Sequence, residues 1–105
     1  MPLSGNLTQI YTQTLELASR TLIIDDAFNL LYANNGALVF TIDADIFPEG
    51  TQISLCNFDG GTPVFAAGAG VTLSSAGGLG PLAQFQVASI ILSPTDNEWI
   101  VIGSV

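Results

Sequence analysis

The 105-residue sequence has no histidine, no lysine and one basic residue, Arg20. Without histidine, neither a Ser-His-Asp nor a Cys-His arrangement can be built. Without lysine there is no Schiff-base chemistry and no lysine clamp for phosphate. A single cation cannot neutralise a nucleic-acid backbone, whose recognition depends on Lys and Arg. An anionic membrane surface would repel the chain for the same reason. The one cysteine, Cys56, rules out an intrachain disulfide and a cysteine-based zinc site. No apolar run approaches the ~18 residues of a membrane span, and no segment carries a sustained helical period.

What the chain does contain is apolar and acidic. Hydrophobic residues make up 49% of it and charged residues only 10%, against about 25% charged in an ordinary soluble domain. The surface must therefore be built from uncharged polar groups, or be partly apolar and covered by another chain. The acids are Glu16, Asp25, Asp26, Asp43, Asp45, Glu49, Asp59, Asp96 and Glu98, giving a net charge of −8. Nearly all fall in segments that read as turns, where solvation is expected and not the pKa tuning that a carboxylate pair needs for glycoside hydrolysis. Asp43, Asp45 and Glu49 share one loop but lack the glycine and distal glutamate of a calcium-binding EF-hand loop. Gly68-Ala69-Gly70 lacks the third glycine of a dinucleotide fingerprint. These residues predict a protein that is not an enzyme and uses no cofactor or metal.

Along the chain, residues 1–13 read as a polar N-terminal arm with Leu3, Leu7, Ile10 and Tyr11 scattered through it. The arm has no basic segment followed by an apolar core, so no secretory signal is expected and synthesis in a cytoplasm is. Residues 14–105 read as one all-β domain. Short alternating runs are separated by turn signals: Asp25-Asp26, Asn34-Asn35-Gly36, Pro48 with Gly50, Asp59-Gly60-Gly61, Gly68 to Gly70, the Ser75–Pro81 loop, and Pro94 to Asn97. The Asn35-Gly36 step between two apolar runs is a hairpin signal. Together these predict a small β-sandwich or barrel-like domain of about eight to ten short antiparallel strands. Within the Thr51–Asn57 run, Cys56 is expected to act as a small buried hydrophobe.

The final two strands, around Gln84–Ser93 and Trp99–Ile102, are apolar on both faces. A strand in a single solvated sheet is normally polar on one side. Phe85, Ile90, Leu92, Trp99 and Val101 are therefore candidates for the core or a subunit interface. Trp99, the single tryptophan, is read chiefly as such an anchor.

An ordered set of short motifs resembles a small β-domain of tailed-phage virion proteins. The set comprises Gly50-Thr51-Gln52-Ile53, the run from Thr62 through Val64-Phe65 and Gly68-Ala69-Gly70 to Leu73, then Ser75-Ala76-Gly77-Gly78, and finally Asn97-Glu98-Trp99 with Gly103. It covers roughly residues 28–103. Such domains occur in tail fibres, tail-spike-associated proteins and head-attached fibre or decoration proteins. The sequence departs from the family pattern after the glycine pair, where Leu79-Gly80-Pro81 replaces a basic or polar residue. The resemblance implies a non-enzymatic virion protein, typically a homotrimer. A unit this short fits a capsid decoration (cement) protein or short head fibre bound to the major capsid protein or another virion protein, with Leu3, Leu7, Ile10 and Tyr11 in the capsid-contacting arm. The alternative is a tail-fibre or tail-associated module that recognises a receptor or glycan, with Trp99, Tyr11 or Tyr32 stacking on a sugar.

Overall fold

The structure is a computed structural model that describes residues 12–81 and 83–103. Leu3, Leu7, Ile10 and Tyr11 lie outside the described residues. The described residues form nine strands: β1 (Gln13–Glu16), β2 (Arg20–Thr21), β3 (Leu30–Ala33), β4 (Val39–Ile42), β5 (Gln52–Asn57), β6 (Val64–Ala67), β7 (Thr72–Ser75), β8 (Val87–Leu92) and β9 (Glu98–Ile102). A 3-10 turn, Ile24–Asp26, follows β2.

The strands form a six-stranded sheet ordered β1-β3-β5-β8-β9-β7 and a three-stranded sheet ordered β2-β4-β6. The arrangement is β-solenoid-like. Each of the first three rungs places one strand in the large sheet and the next in the small one, β1–β2, β3–β4 and β5–β6, and successive rungs stack in parallel. The stack is then closed by β8, antiparallel to β5, and by β9, antiparallel to β8, with β7 parallel to β9 at the far edge.

This corrects the expected sandwich or barrel of antiparallel strands. The all-β class holds, but most pairings are parallel. Alternation of apolar and polar residues reports which face of a strand is buried, and that pattern is the same whichever direction the partner runs. The Asn35-Gly36 step is not a hairpin, because β3 and β4 belong to different sheets. Gly36 does take positive φ, at 72°, and Asn35 Nδ2 donates to the Leu17 carbonyl at 2.9 Å. The dipeptide turns the chain through a corner from one sheet to the other.

The core lies between the sheets. Phe40 and Phe65 are register neighbours in the small sheet and both are fully buried. In the large sheet the inward rows are Leu31–Leu55–Ala88, Ile53–Ile90–Val101 and Leu92–Trp99–Leu73. Burying each such aliphatic or aromatic side chain contributes about 1.5–3 kcal/mol. Trp99 meets Phe47 edge-to-face at 5.5 Å between ring centroids, so a side chain from the 43–50 loop seals that end of the core.

Candidate interaction surface

Because β-strands alternate, the residues between the inward rows point out of the large sheet. Register alignment places them in three outward rows. One is Leu15–Tyr32–Cys56–Val87. The second is Gln13–Leu30–Ser54–Ser89–Ile102. The third is Gln52–Ile91–Ile100–Ser74. None of these side chains is charged; the outward pair beyond the third row, Thr72–Glu98, carries a carboxylate. Leu15, Val87, Ile100 and Ile102 are exposed, although this face has the alternating slots that a solvated sheet would fill with polar residues.

Aromatic residues extend the first row. Tyr32 meets Phe58 edge-to-face at 5.5 Å, and Phe58 meets Phe85 in the same way at 6.3 Å. Phe85 is 68% exposed, the most exposed large hydrophobic among the described residues, and it stands at φ 68°. Its geometry is held by Asn57, which is fully buried. The Asn57 carbonyl accepts from the Phe85 N–H at 2.6 Å, and the Asn57 N–H donates to the Gln86 carbonyl at 3.0 Å. The Asn57 side chain ties down the adjoining turn: Nδ2 donates to the Gly61 carbonyl at 2.8 Å, and Oδ1 accepts from the Gly60 N–H at 3.0 Å. A hollow of about 220 Å³ opens beside Val87, walled by Phe28, Leu30, Gln52 and Ser54 among others.

The sequence candidates divide between this face and the core. Ile90, Leu92, Trp99 and Val101 are buried inside the sheet. Phe85 is on the outside, two residues before Val87 and in phase with it. Trp99 is 1% exposed, so neither face of its indole is open to a sugar ring. Tyr32 is half-buried and its hydroxyl donates to Gln13 Oε1 at 2.9 Å. Cys56 lies on an outward row yet is buried, and burial raises its thiol pKa, which keeps it protonated and poorly nucleophilic. Sequence reasoning missed Val87, Ile100 and Ile102 as one surface with Leu15. Strand direction was the absent information, since only the parallel β1-β3-β5 stack brings Leu15 into the row of Val87.

Asp45, Glu49 and Asp96 line one hollow of about 160 Å³. Among the described residues no group of three or more His, Cys, Asp or Glu side chains is arranged to hold a metal ion. Asp45 is clamped to Asn97, whose Nδ2 donates to Asp45 Oδ1 at 3.1 Å while its Oδ1 accepts from the Asp45 N–H at 3.0 Å. Glu98 accepts from Ser74 Oγ and Thr95 Oγ1, which lower its pKa.

One acidic pair departs from the expectation of solvated turns. Glu16 and Asp26 are buried at the first rung and flank Arg20. Arg20 donates bidentately to Glu16 at 2.9 and 3.1 Å and to Asp26 at 2.8 and 2.8 Å. Asp26 also accepts from the Ile23 N–H at 2.8 Å. The Arg20 hydrogen bonds hold the Glu16 pKa below its ordinary value against the opposing effect of burial. At Asp26 burial is the largest influence and pushes the pKa up, but the Arg20 and Ile23 donors together outweigh it, so the net shift is downward. With four of the five guanidinium N–H groups bonded to these two carboxylates, the cluster is a staple for the first rung. No buried side-chain polar atom among the described residues lacks a partner.

No family model, no curated protein and no solved structure matches this chain.

Proposed function

We propose that this chain is a non-enzymatic structural protein of a tailed-phage virion, a homotrimeric capsid decoration protein that binds the major capsid protein or another virion protein. One observation carries the assembly part of this reading: on a chain of net charge −8, the three outward rows of the six-stranded sheet carry no charged side chain and expose Leu15, Val87, Ile100 and Ile102. A face of that kind is rare on a freestanding monomer and is the usual mark of a contact surface. The phage part rests on the motif set from Gly50 to Gly103. A decoration protein acts by burying surface across neighbouring shell subunits. Its effect on shell stability follows mass action and the quality of the contact, with no covalent step. The receptor-binding reading is weaker, because it relies first on Trp99, which is enclosed in the core.

Two measurements test the proposal. Sedimentation velocity at micromolar concentration should give a trimer, and a stable monomer would sink that element. Cryo-electron microscopy of virions carrying the chain should place it on the head surface. Density on the tail, or none at all, would remove the decoration role.

A further inference from the structure

Accepting the self-assembling role proposed above, we propose that the outer face of the six-stranded sheet is where a second copy of this chain docks, with Phe85 as the anchor of the contact. Three observations lead to this occupant.

The first is backbone conformation. Among the described residues, the non-glycine positions with positive φ are Phe28, Asp45, Phe85 and Asn97. Asp and Asn tolerate that region because their side chains bond locally; a bulky aromatic there is an outlier. Both phenylalanines border the outer sheet face, Phe28 as a wall of the hollow and Phe85 beside Phe58. Phe85 is held in a disfavoured conformation and left 68% exposed. Neither its backbone nor its burial in the single chain accounts for a phenylalanine at this position. Burial against a partner accounts for it, since exposed aromatics that become enclosed are the usual hot spots of interfaces.

The second is charge. Two copies of a chain with net charge −8 repel each other. They can approach closely only through surfaces without acids. The three outward rows are such a surface, and nearby acids stand at its margins, Glu98 at the end of β9 and Asp59 in the turn after β5. A basic partner would instead seek the acid-bearing sides. The uncharged face therefore matches another uncharged face.

The third is size. Six strands about 4.8 Å apart and about five residues long make a face of roughly 29 by 17 Å, near 490 Å² in projection. Phe58 and Phe85 widen it toward the ~800 Å² that each partner contributes to a standard interface. The hollow of about 220 Å³ beside Val87 offers a seat for a protruding side chain such as the Phe85 ring of the other copy. Around a three-fold axis each face would meet two neighbours, so the surface serves a trimer as well as a pair.

The test is sedimentation equilibrium on the full chain and on two variants. Phe85→Gly suits the positive φ and removes the ring; Ile100→Asp places a charge at an exposed point of the third row. Circular dichroism at low concentration should show both variants folded. The wild type should self-associate in the micromolar range, and each folded variant should weaken association roughly 30-fold or more, the loss expected for a hot-spot contact. A wild type that stays monomeric at ~100 µM overturns the docking surface, but leaves intact a virion role established by imaging. A wild-type oligomer that either folded variant leaves unchanged overturns the assignment of this face while preserving the oligomer. If Ile100→Asp does not fold, Ile102→Asp on the neighbouring row takes its place with the same expected result.

Discussion

Replacing Arg20 by alanine should destabilise the fold strongly at neutral pH and much less in acid. The guanidinium makes four charge-assisted hydrogen bonds to two carboxylates whose side chains are 9% and 5% exposed, while its own side chain is 33% exposed. Removing one partner of a buried ion pair costs about 3–5 kcal/mol, because the charge left behind is neither solvated nor paired. Here water reaches the arginine side, so a discounted figure of about 2–4 kcal/mol is appropriate. Against a total stability of about 5–15 kcal/mol for a domain of this size, that loss would lower the melting temperature by roughly 10–20 °C. The pH dependence fixes the cause. In the wild type both carboxyls titrate below their ordinary values. The unfolded chain therefore takes up protons first as pH falls. The stabilisation is complete above about pH 5 and is lost as pH drops through the folded values. In the variant the sign reverses: two buried carboxyls without a cation titrate above their ordinary values, so acid favours the folded state. The difference between the proteins should be widest near pH 7 and narrow toward pH 3. Urea unfolding followed by Trp99 fluorescence, at fixed protein concentration, measures it. A loss below 1 kcal/mol at pH 7, or an equal loss at pH 3, would refute the reasoning. Replacing all three residues with neutral analogues, as in Arg20→Met with Glu16→Gln and Asp26→Asn, should recover most of the stability.

Further expectations concern residues that shape the rungs and the outer face. Asn57→Ala should cost about 1–3 kcal/mol, because it removes the two hydrogen bonds that tie down the Gly60–Gly61 turn; chemical denaturation measures the loss. Gly61→Ala should be worse than Gly36→Ala. A Cβ at residue 61 would lie 2.3 Å from the Gly36 carbonyl oxygen, whereas one at residue 36 meets open space and suffers only from its φ of 72°, a penalty of about 1 kcal/mol. Thermal melts should rank the two variants in that order. Cys56 should react with a thiol reagent only slowly in the folded protein and rapidly in denaturant, since burial keeps it protonated.

The strands were legible from the sequence because period-two alternation is a local signal. The Thr51–Asn57 run contains β5, and the Gln84–Ser93 run contains β8. Pairing direction was not legible, because it depends on where the chain goes next. The same Asn35-Gly36 step suits a hairpin, which takes positive φ at both residues, and a corner, where Gly36 alone takes it. The face of Phe85 was hidden for a related reason. Phe85 and Ile90 are five residues apart and belong to opposite phases, yet both looked like members of one apolar run. Arg20 was also unreadable. Its partners lie four residues before it and six after it, and only the turn at Ile24–Asp26 brings Asp26 back beneath the guanidinium.

The change of direction at β8 also shapes how the chain is made. β3 pairs with β1 and β5 with β3, each with the preceding rung, so these strands can assemble as the polypeptide emerges. β5 then waits for its second partner: Ser54 meets Ser89, and those residues are 35 positions apart. At about 5–20 residues per second that interval lasts roughly 2–7 s. During it, Ile53 and Leu55 border an open strand edge of the kind that recruits other chains. Translation speed between residues 57 and 87 should therefore influence the yield of soluble protein more than translation speed anywhere earlier in the described stack.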